Sequence, residues 1–366
     1  MSEQNRLYKI NKVKPGMILG SMIEDRLGRH LIESGTVLTE YYIEQLESYG
    51  IRSILIQLGD GKEKKKEVVL SEEAKKAVNR FRIPDPPSVK IEETVKKRIT
   101  HGVELMYSHP DTKILKSVSE VIADDLINVI ESNDAVAINV NDLKSADEDR
   151  FQHSVDVATI GIIMAKKLRY SKTKIRDIGI AGILHDIGKT KLPAEILNKQ
   201  ENLTEEEEKI MRNHAFYGYE IISSNRSIKA SIADAVLQHH ELGDGTGYPQ
   251  NLKADQISPY AKIITVANIY DGLFTNRSAM QRVSPRQAVE ILMAMSGQVD
   301  ITVLQAFLNS MILYPVDSIV MLSNGDVAKV VRRIPGFITR PMVVSVTSGK
   351  VYDLSSKNYQ NIVIVD

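Results

Sequence analysis

The chain has 366 residues, enough for two or three domains, and 43% of them are hydrophobic, so a sizeable core can form. Lys+Arg and Asp+Glu balance at 47 each, which leaves no bulk charge signal for a nucleic-acid polymer or an anionic membrane. There is no cysteine, so disulfides, thiolate metal sites and cysteine nucleophiles are excluded together.

The opening residues, MSEQNRLYKI, are polar and lack the apolar core of a signal peptide. The longest apolar run in the middle of the chain, VATIGIIMA at 157–165, is far short of the roughly 20 residues a membrane helix needs. These features lead us to expect a cytoplasmic protein without a membrane span.

Residues 1–58 read as a small α/β unit. KPGMILGSMIEDRLGRHLIESGT places turn glycines between alternating apolar residues, a hairpin pattern. LTEYYIEQLESYGI then has helical spacing, with Thr39 as N-cap and Gly50 as stop, and IRSILIQ closes the unit as a strand. GDGKEKKKE is charged and poor in apolar residues, and opens a linker region over 59–133. In that region RIPDPPSVK must break any helix, and VSEVIADDLINVIES spaces its apolar residues three and four apart. An amphipathic segment of this kind over 90–132 either packs on its own chain or pairs with a second copy as a homodimer.

A helical domain is expected over 134–313, and from 147 to 313 the pattern is almost continuously helical, with helices expected over 147–169, 174–186, 204–224, 228–241, 254–276, 284–296 and 300–313. Residues 314–366 change character. Asn324-Gly325 between alternating apolar runs is a hairpin signal, and PMVVSVTS, KVYDL and NIVIV read as strands of a small β unit. The fold class expected is therefore mainly α, a helical bundle between a small α/β N-terminal unit and a small β C-terminal unit.

Five of the eight histidines, His153, His185, His214, His239 and His240, fall within the helical region on or at the ends of different helices, the last two adjacent. His30, His101 and His109 are read as ordinary surface or core residues. Asp186 follows His185 in AGILHDIGK, and a carboxylate carried into an apolar interior must be paired or bound to metal, because leaving it bare costs several kcal/mol. Helices can converge such side chains on metal ions at the centre of a bundle. Imidazole and carboxylate without thiolate suit iron, manganese or zinc rather than calcium. A bridged metal pair lowers the pKa of bound water and neutralises phosphate oxygens, Lys189 adds a point charge for phosphate, and the glycine-rich loop lets backbone N–H groups approach an anion.

The order His153, then HDIGK at 185–189, then His214, then HHELGDGTGYP at 239–249 closely resembles the HD-GYP family of HD-domain phosphohydrolases, over roughly residues 147–313. VKPGMILG and LSNGDVAKVV look similar to regions that flank this domain, a weaker match. The resemblance implies an HD-type helical bundle enclosing two, in some members three, divalent metals, iron or manganese with zinc as a further candidate. It implies hydrolysis of cyclic di-GMP to pGpG or GMP, or of the mixed guanine–adenine cyclic dinucleotide, in bacterial signalling. By that resemblance His153, His185 and Asp186 hold one metal, Asp186 bridges, and His214, His239 and His240 hold the second. Lys189 matches the motif lysine near the scissile phosphate, so Lys189 and Asp186 are the expected catalytic pair. Gly247, Tyr248 and Pro249 form the substrate loop, and Arg277 matches an arginine that contacts the dinucleotide. Members with three metals carry a glutamate one turn before the first histidine, where this chain has the shorter Asp149.

One departure bears on activity. The family's last ligand is the first aspartate of A-D-x-x-D-A, but this chain reads VANIYDGLF, with Asn268 at the ligand position and Asp271 at the second aspartate. Loss of that negative charge weakens metal binding or raises the pKa of bound water. Met280 also stands where a lysine is common. The alternative to a working phosphodiesterase is therefore a catalytically weak or silent cyclic-dinucleotide sensor, and an HD hydrolase acting on another phosphoester is a third reading.

Overall fold

The computed structural model describes residues 4–14, 16–24, 30–32, 36, 38, 42–43, 46, 51–58, 70–110, 114–139, 150–199, 202–275 and 283–365. The chain divides into two compact units, Met1–Val68 and Val69–Asp366.

Among the described residues of the first unit the strands are β1 (Gln4–Lys9), β2 (Ile23–Glu24), β3 (His30–Ile32) and β4 (Ser53–Leu58). β1 pairs antiparallel with β4, and β2 with β3 as the hairpin pattern predicts. Period-two alternation turns Ile54 and Ile56 of β4 inward, against Leu19, Leu38 and Leu46. The Thr39 and Gly50 helix signals lie outside the described residues.

The second unit begins with α1 (Glu72–Phe81), started by the Ser71 hydroxyl, which accepts from the Ala74 N–H at 3.1 Å. The proline-rich stretch that follows is non-helical, as proline chemistry requires. α2 (Glu93–Ser108) and α3 (Ile114–Ser132) come next. Ile99, Val103, Met106, Leu115, Ile122, Leu126 and Ile130 on these helices are buried in the core of their own chain.

A short strand β5 (Ile138–Asn139) leads to the central helices α4 (Arg150–Lys167) and α5 (Lys172–Leu184). From Ile175 onward almost every side chain of α5 is buried, the mark of a helix surrounded on all sides. A 3₁₀ turn over Ile187–Lys191 follows, then α6 (Ala194–Leu197), α7 (Glu205–Arg212), α8 (His214–Ser224) and α9 (Ala230–Gln238). The bundle is completed by α10 (Pro259–Thr275), α11 (Pro285–Ala294) and α12 (Ile301–Ser310). α4 packs on α5, α10 and α12, α9 packs on α5, α8 and α10, and the 3₁₀ turn lies against α8.

Two expectations are corrected. The single helix expected over 204–224 is two. Thr204 and Glu207 start α7 with a capping box, the chain tightens where the Asn213 N–H reaches only three residues back to Ile210 (3.1 Å), and α8 restarts at His214. Apolar spacing runs on through so tight a turn, so periodicity does not reveal it. The helix expected over 300–313 ends at Ser310. Met311–Ile312 forms β6, paired in parallel with β5, and so joins the chain before the bundle to the chain leaving it.

The C-terminal strands are β7 (Ile319–Leu322), β8 (Val327–Arg332), β9 (Met342–Ser345), β10 (Val351–Asp353) and β11 (Ile364–Val365). They form an antiparallel sheet in the order β10-β9-β8-β7-β11, with Asn324-Gly325 at the β7–β8 turn as expected and Gly325 at φ +87°. Among the described residues no helix is long and apolar enough to cross a membrane.

The seat of the 3₁₀ turn depends on Gly188. A Cβ there would lie 1.9 Å from the His214 carbonyl oxygen and 2.4 Å from the Gly218 nitrogen, both backbone atoms that cannot swing away. Gly272 on α10 has nothing within 4 Å of an added Cβ. Gly188→Ala is expected to destabilise the protein by at least about 3 kcal/mol, the upper end of ordinary overpacking. Gly272→Ala should leave stability equal or raise it by up to about 1 kcal/mol. Urea unfolding of the two variants checks the contrast.

Candidate metal centre

The C-terminal end of α5 delivers His185 and Asp186 into the bundle, α4 delivers His153, the start of α8 delivers His214, and the end of α9 delivers His239 and His240. His185 and His239 are fully buried, and His214 and Asp186 nearly so. Their contacts follow one rule. The Nδ1 atoms of His185, His214 and His239 each lie against the carbonyl three residues earlier, Gly182 at 2.8 Å, Met211 at 2.7 Å and Val236 at 2.6 Å. A carbonyl can only accept, so Nδ1 carries the proton and Nε2 presents a bare lone pair.

Those lone pairs face one another. The Nε2 atoms of His214 and His239 are 3.2 Å apart, those of His214 and His240 3.2 Å, and those of His185 and His153 3.2 Å. Asp186 stands between the two sets. Its Oδ1 is 3.4 Å from His214 Nε2 and 3.9 Å from His239 Nε2, and its Oδ2 is 3.5 Å from His185 Nε2 and 3.9 Å from His153 Nε2. Acceptors gathered in this way repel unless a cation lies among them. Two groups of ligand atoms, each within 4.8 Å of one another, could hold a metal ion: His153, His185 and Asp186, and His214, His239 and His240.

The electrostatics match that use. Burial pulls the imidazoles of His185 to about 4 and of His214 and His239 to about 3, and pulls His240 well below its ordinary value. All four are therefore neutral, ligand-competent rings at physiological pH. Burial alone would raise Asp186, but the Lys189 charge, joined by the neighbouring histidines as these become charged in acid, outweighs it and holds the carboxylate well below its usual range. The Lys189 ammonium donates to Asp186 Oδ2 at 2.5 Å.

His153 is oriented differently. Its Nδ1 donates to Oδ2 of the buried Asp271 at 2.5 Å, and burial, which lowers its pKa, is outweighed by that bond and by the Asp271 and Asp186 charges, so it lies above the ordinary value. A carboxylate behind a ring fixes the tautomer and makes the other nitrogen a better donor of electrons. The Asn268 side-chain oxygen points at that nitrogen, 3.1 Å from His153 Nε2. Asn268 thus reaches the cluster with an uncharged oxygen. Asp149 and Arg277 lie outside the described residues.

The GYP loop is tied to the same centre. Tyr248 stacks on His240, with centroids 4.4 Å apart and planes 18° apart, and the Tyr248–Pro249 bond is cis. A Cβ on Gly247 would meet the Leu242 nitrogen at 2.3 Å and the His240 carbonyl oxygen at 2.5 Å, so only glycine lets the loop fold back over α9. The fastening is Glu241, for which the sequence suggests no role. It is 2% exposed, and its two oxygens accept from the backbone N–H groups of Gln250 (2.6 Å) and Leu252 (2.9 Å). Its position beside two histidines was visible, but nothing local tells a loop staple from a helix-end carboxylate. Thr265 on α10 completes the support by donating to the His239 carbonyl at 3.0 Å.

Two outcomes follow from this geometry. Glu241→Ala removes a buried carboxylate that accepts from two part-buried backbone N–H groups and is expected to lower unfolding free energy by about 1.5–3 kcal/mol, read by urea denaturation. Chelation is expected to lower the melting temperature, and metal at a hundredfold excess over its dissociation constant to restore about 2.7 kcal/mol. A melting curve indifferent to chelator and to added metal would contradict a metal-filled cluster.

Comparison with known proteins points the same way. Residues 126–303 match the family model described as HD domain. The chain is 28% identical over 336 residues to a cyclic di-GMP phosphodiesterase of Pseudomonas aeruginosa, covering 88% of this chain and 81% of that one. It is 30% identical over 227 residues to a cyclic di-GMP phosphodiesterase of Thermotoga maritima, covering 60% of this chain and 61% of the relative. The fold is similar to that of an HDG"Y"P protein from Bdellovibrio bacteriovorus, with a TM-score of 0.50 at 17% identity over 83% of this chain and 98% of that one. The HD pair, the five converging histidines and the GYP loop thus stand in one centre, within or beside the stretch 126–303 that matches the HD-domain model, in a chain similar to cyclic di-GMP phosphodiesterases and to an HDG"Y"P protein in fold.

Proposed function

We propose that the protein is a metal-dependent phosphodiesterase that hydrolyses cyclic di-GMP to pGpG or GMP. The observation that carries this reading is the set of bare Nε2 atoms facing one another around Asp186, an arrangement that serves no purpose in a dry helical core. The relatives named above, which act on cyclic di-GMP, supply the substrate class.

In this reading His153, His185 and Asp186 would hold one divalent cation and His214, His239 and His240 the other, with the Asp186 carboxylate standing between the two sets. Iron or manganese are the favoured ions and zinc the next, since the donor set lacks thiolate. When bound, such a pair supplies hydroxide near neutral pH and neutralises phosphate oxygens. The chain's own residues do the rest. Three backbone carbonyls and Asp271 hold four of the five imidazoles in one tautomer and orientation, and Tyr248 stacks on the fifth, His240. Lys189 brings a positive charge to the edge of the cluster. Tyr248 and the Gly247 backbone form a wall for the dinucleotide, and the buried surroundings of α4, α5 and α9 exclude bulk water from behind the reacting phosphate. The finer division of the chain into units at 59–133, 134–313 and 314–366, a homodimer through the 90–132 helices and a cytoplasmic location are part of the same proposal.

Asn268 favours a second reading, a sensor that binds the dinucleotide and does not cut it. Its oxygen is placed to bind, but it carries no charge. The two readings separate in one comparison. Protein purified without oxygen is expected to bind two metals and to turn over cyclic di-GMP. Asn268→Asp should raise metal affinity about tenfold or more, the scale of changes at groups that tune a site. Metal analysis and chromatography of the nucleotide products read both quantities. If the native protein binds two metals and leaves cyclic di-GMP intact while Asn268→Asp cleaves it, the sensor reading replaces the enzyme reading.

A further inference from the structure

A cyclic dinucleotide carries two phosphodiesters, each with one negative charge, on opposite sides of its ring. The metal cluster and Lys189 answer one of them, and the Lys189 ammonium is already bonded to Asp186. Arg277, the arginine expected at the substrate, lies outside the described residues, and Met280 stands where the motif has a lysine. The structure offers another cation. Arg212, the last residue of α7, sets its guanidinium carbon 5.2 Å from the Tyr248 ring centroid, and that ring is stacked on His240. Arg212, Tyr248 and His240 therefore make a continuous column that runs from the solvent to the Nε2 cluster. The break at Asn213 places Arg212 there, because α7 ends and His214 turns inward within two residues.

The arginine is not committed to a structural partner. Its ion pair with Glu208 is 3.7 Å long, and both side chains are 55% exposed, a pair worth little in water. A guanidinium resting on an aromatic face loses little freedom on taking a ligand, and its planar fork matches two phosphate oxygens.

We propose that Arg212 is a substrate-binding residue that receives the second, uncleaved phosphodiester of the cyclic dinucleotide, so that the Arg212–Tyr248–His240 column selects a two-phosphate ring over a simple diester. This rests on the cyclic-dinucleotide reading of the site.

The test uses metal-loaded full-length protein with Arg212→Gln and Arg212→Lys. Cyclic di-GMP is compared with bis(p-nitrophenyl) phosphate, a diester with one phosphate. Arg212→Gln is expected to lower kcat/KM for cyclic di-GMP at least tenfold more than for the simple diester, mainly through KM, and Arg212→Lys to recover part of the difference. The dissociation constant for cyclic di-GMP, measured by calorimetry, should rise at least tenfold in Arg212→Gln. An equal loss on both substrates, or an unchanged dissociation constant, would show that Arg212 merely props Tyr248 and would overturn the assignment. A native protein that binds cyclic di-GMP without cleaving it fails the enzyme reading alone, and the calorimetric comparison still decides on Arg212. A native protein that does not bind cyclic di-GMP removes both.

Discussion

The constraint on which the rest of the structure depends is the crowding of electron-pair donors around Asp186. Imidazole nitrogens 3.2 Å apart with their protons on the far side of each ring repel one another, and the carboxylate between them adds to the negative potential. A fold meets such a demand only if many independent contacts hold each ring in place. The carbonyls of Gly182, Met211 and Val236 and the carboxylate of Asp271 do so. Gly182 and Val236 belong to the helices that present His185 and His239, so those two tautomers are set as soon as α5 and α9 form, whereas Met211 holds His214 from α7 and Asp271 holds His153 from α10, so those two depend on packing.

Holding the rings is only half of the task, because two sets of ligands must also meet. That meeting is a matter of backbone approach. The 3₁₀ turn that follows Asp186 and carries Lys189 lies against α8 at a distance that excludes any side chain at residue 188, and the GYP loop doubles back on the end of α9 at a distance that excludes one at 247. Glu241 then fixes the returning loop through two backbone N–H groups. One carboxylate, Asp186, thus serves charge, and another, Glu241, serves shape, although the two are similarly buried.

Much of this was legible in the residues. Histidine pairs, HD and GYP stand out because few other residue types present lone pairs to a metal or fold so tightly before a proline, and the helical spacing around them is regular. The departure at Asn268 was equally plain, since it is a change of chemistry at a known place. The break at Asn213 was not, because apolar residues keep their spacing across it. Nor were the strands at 138–139 and 311–312, which are too short to have a period and are defined only by each other. Glu241 and Arg212 were hidden for a related reason. Charged side chains at helix ends are commonplace, and only their distant partners give them meaning.

The sequence by itself determined which residues could bind metal, that no thiolate is available, and that position 268 offers a neutral oxygen, because these are properties of residue types. Tertiary structure alone decided that four imidazoles from four helices surround one carboxylate with His240 beside them, that each presents Nε2 rather than Nδ1, and that an arginine on α7 stands above a tyrosine 36 residues later in the chain. Those facts depend on distances between segments far apart in the chain, and such distances exist only once the helices have packed.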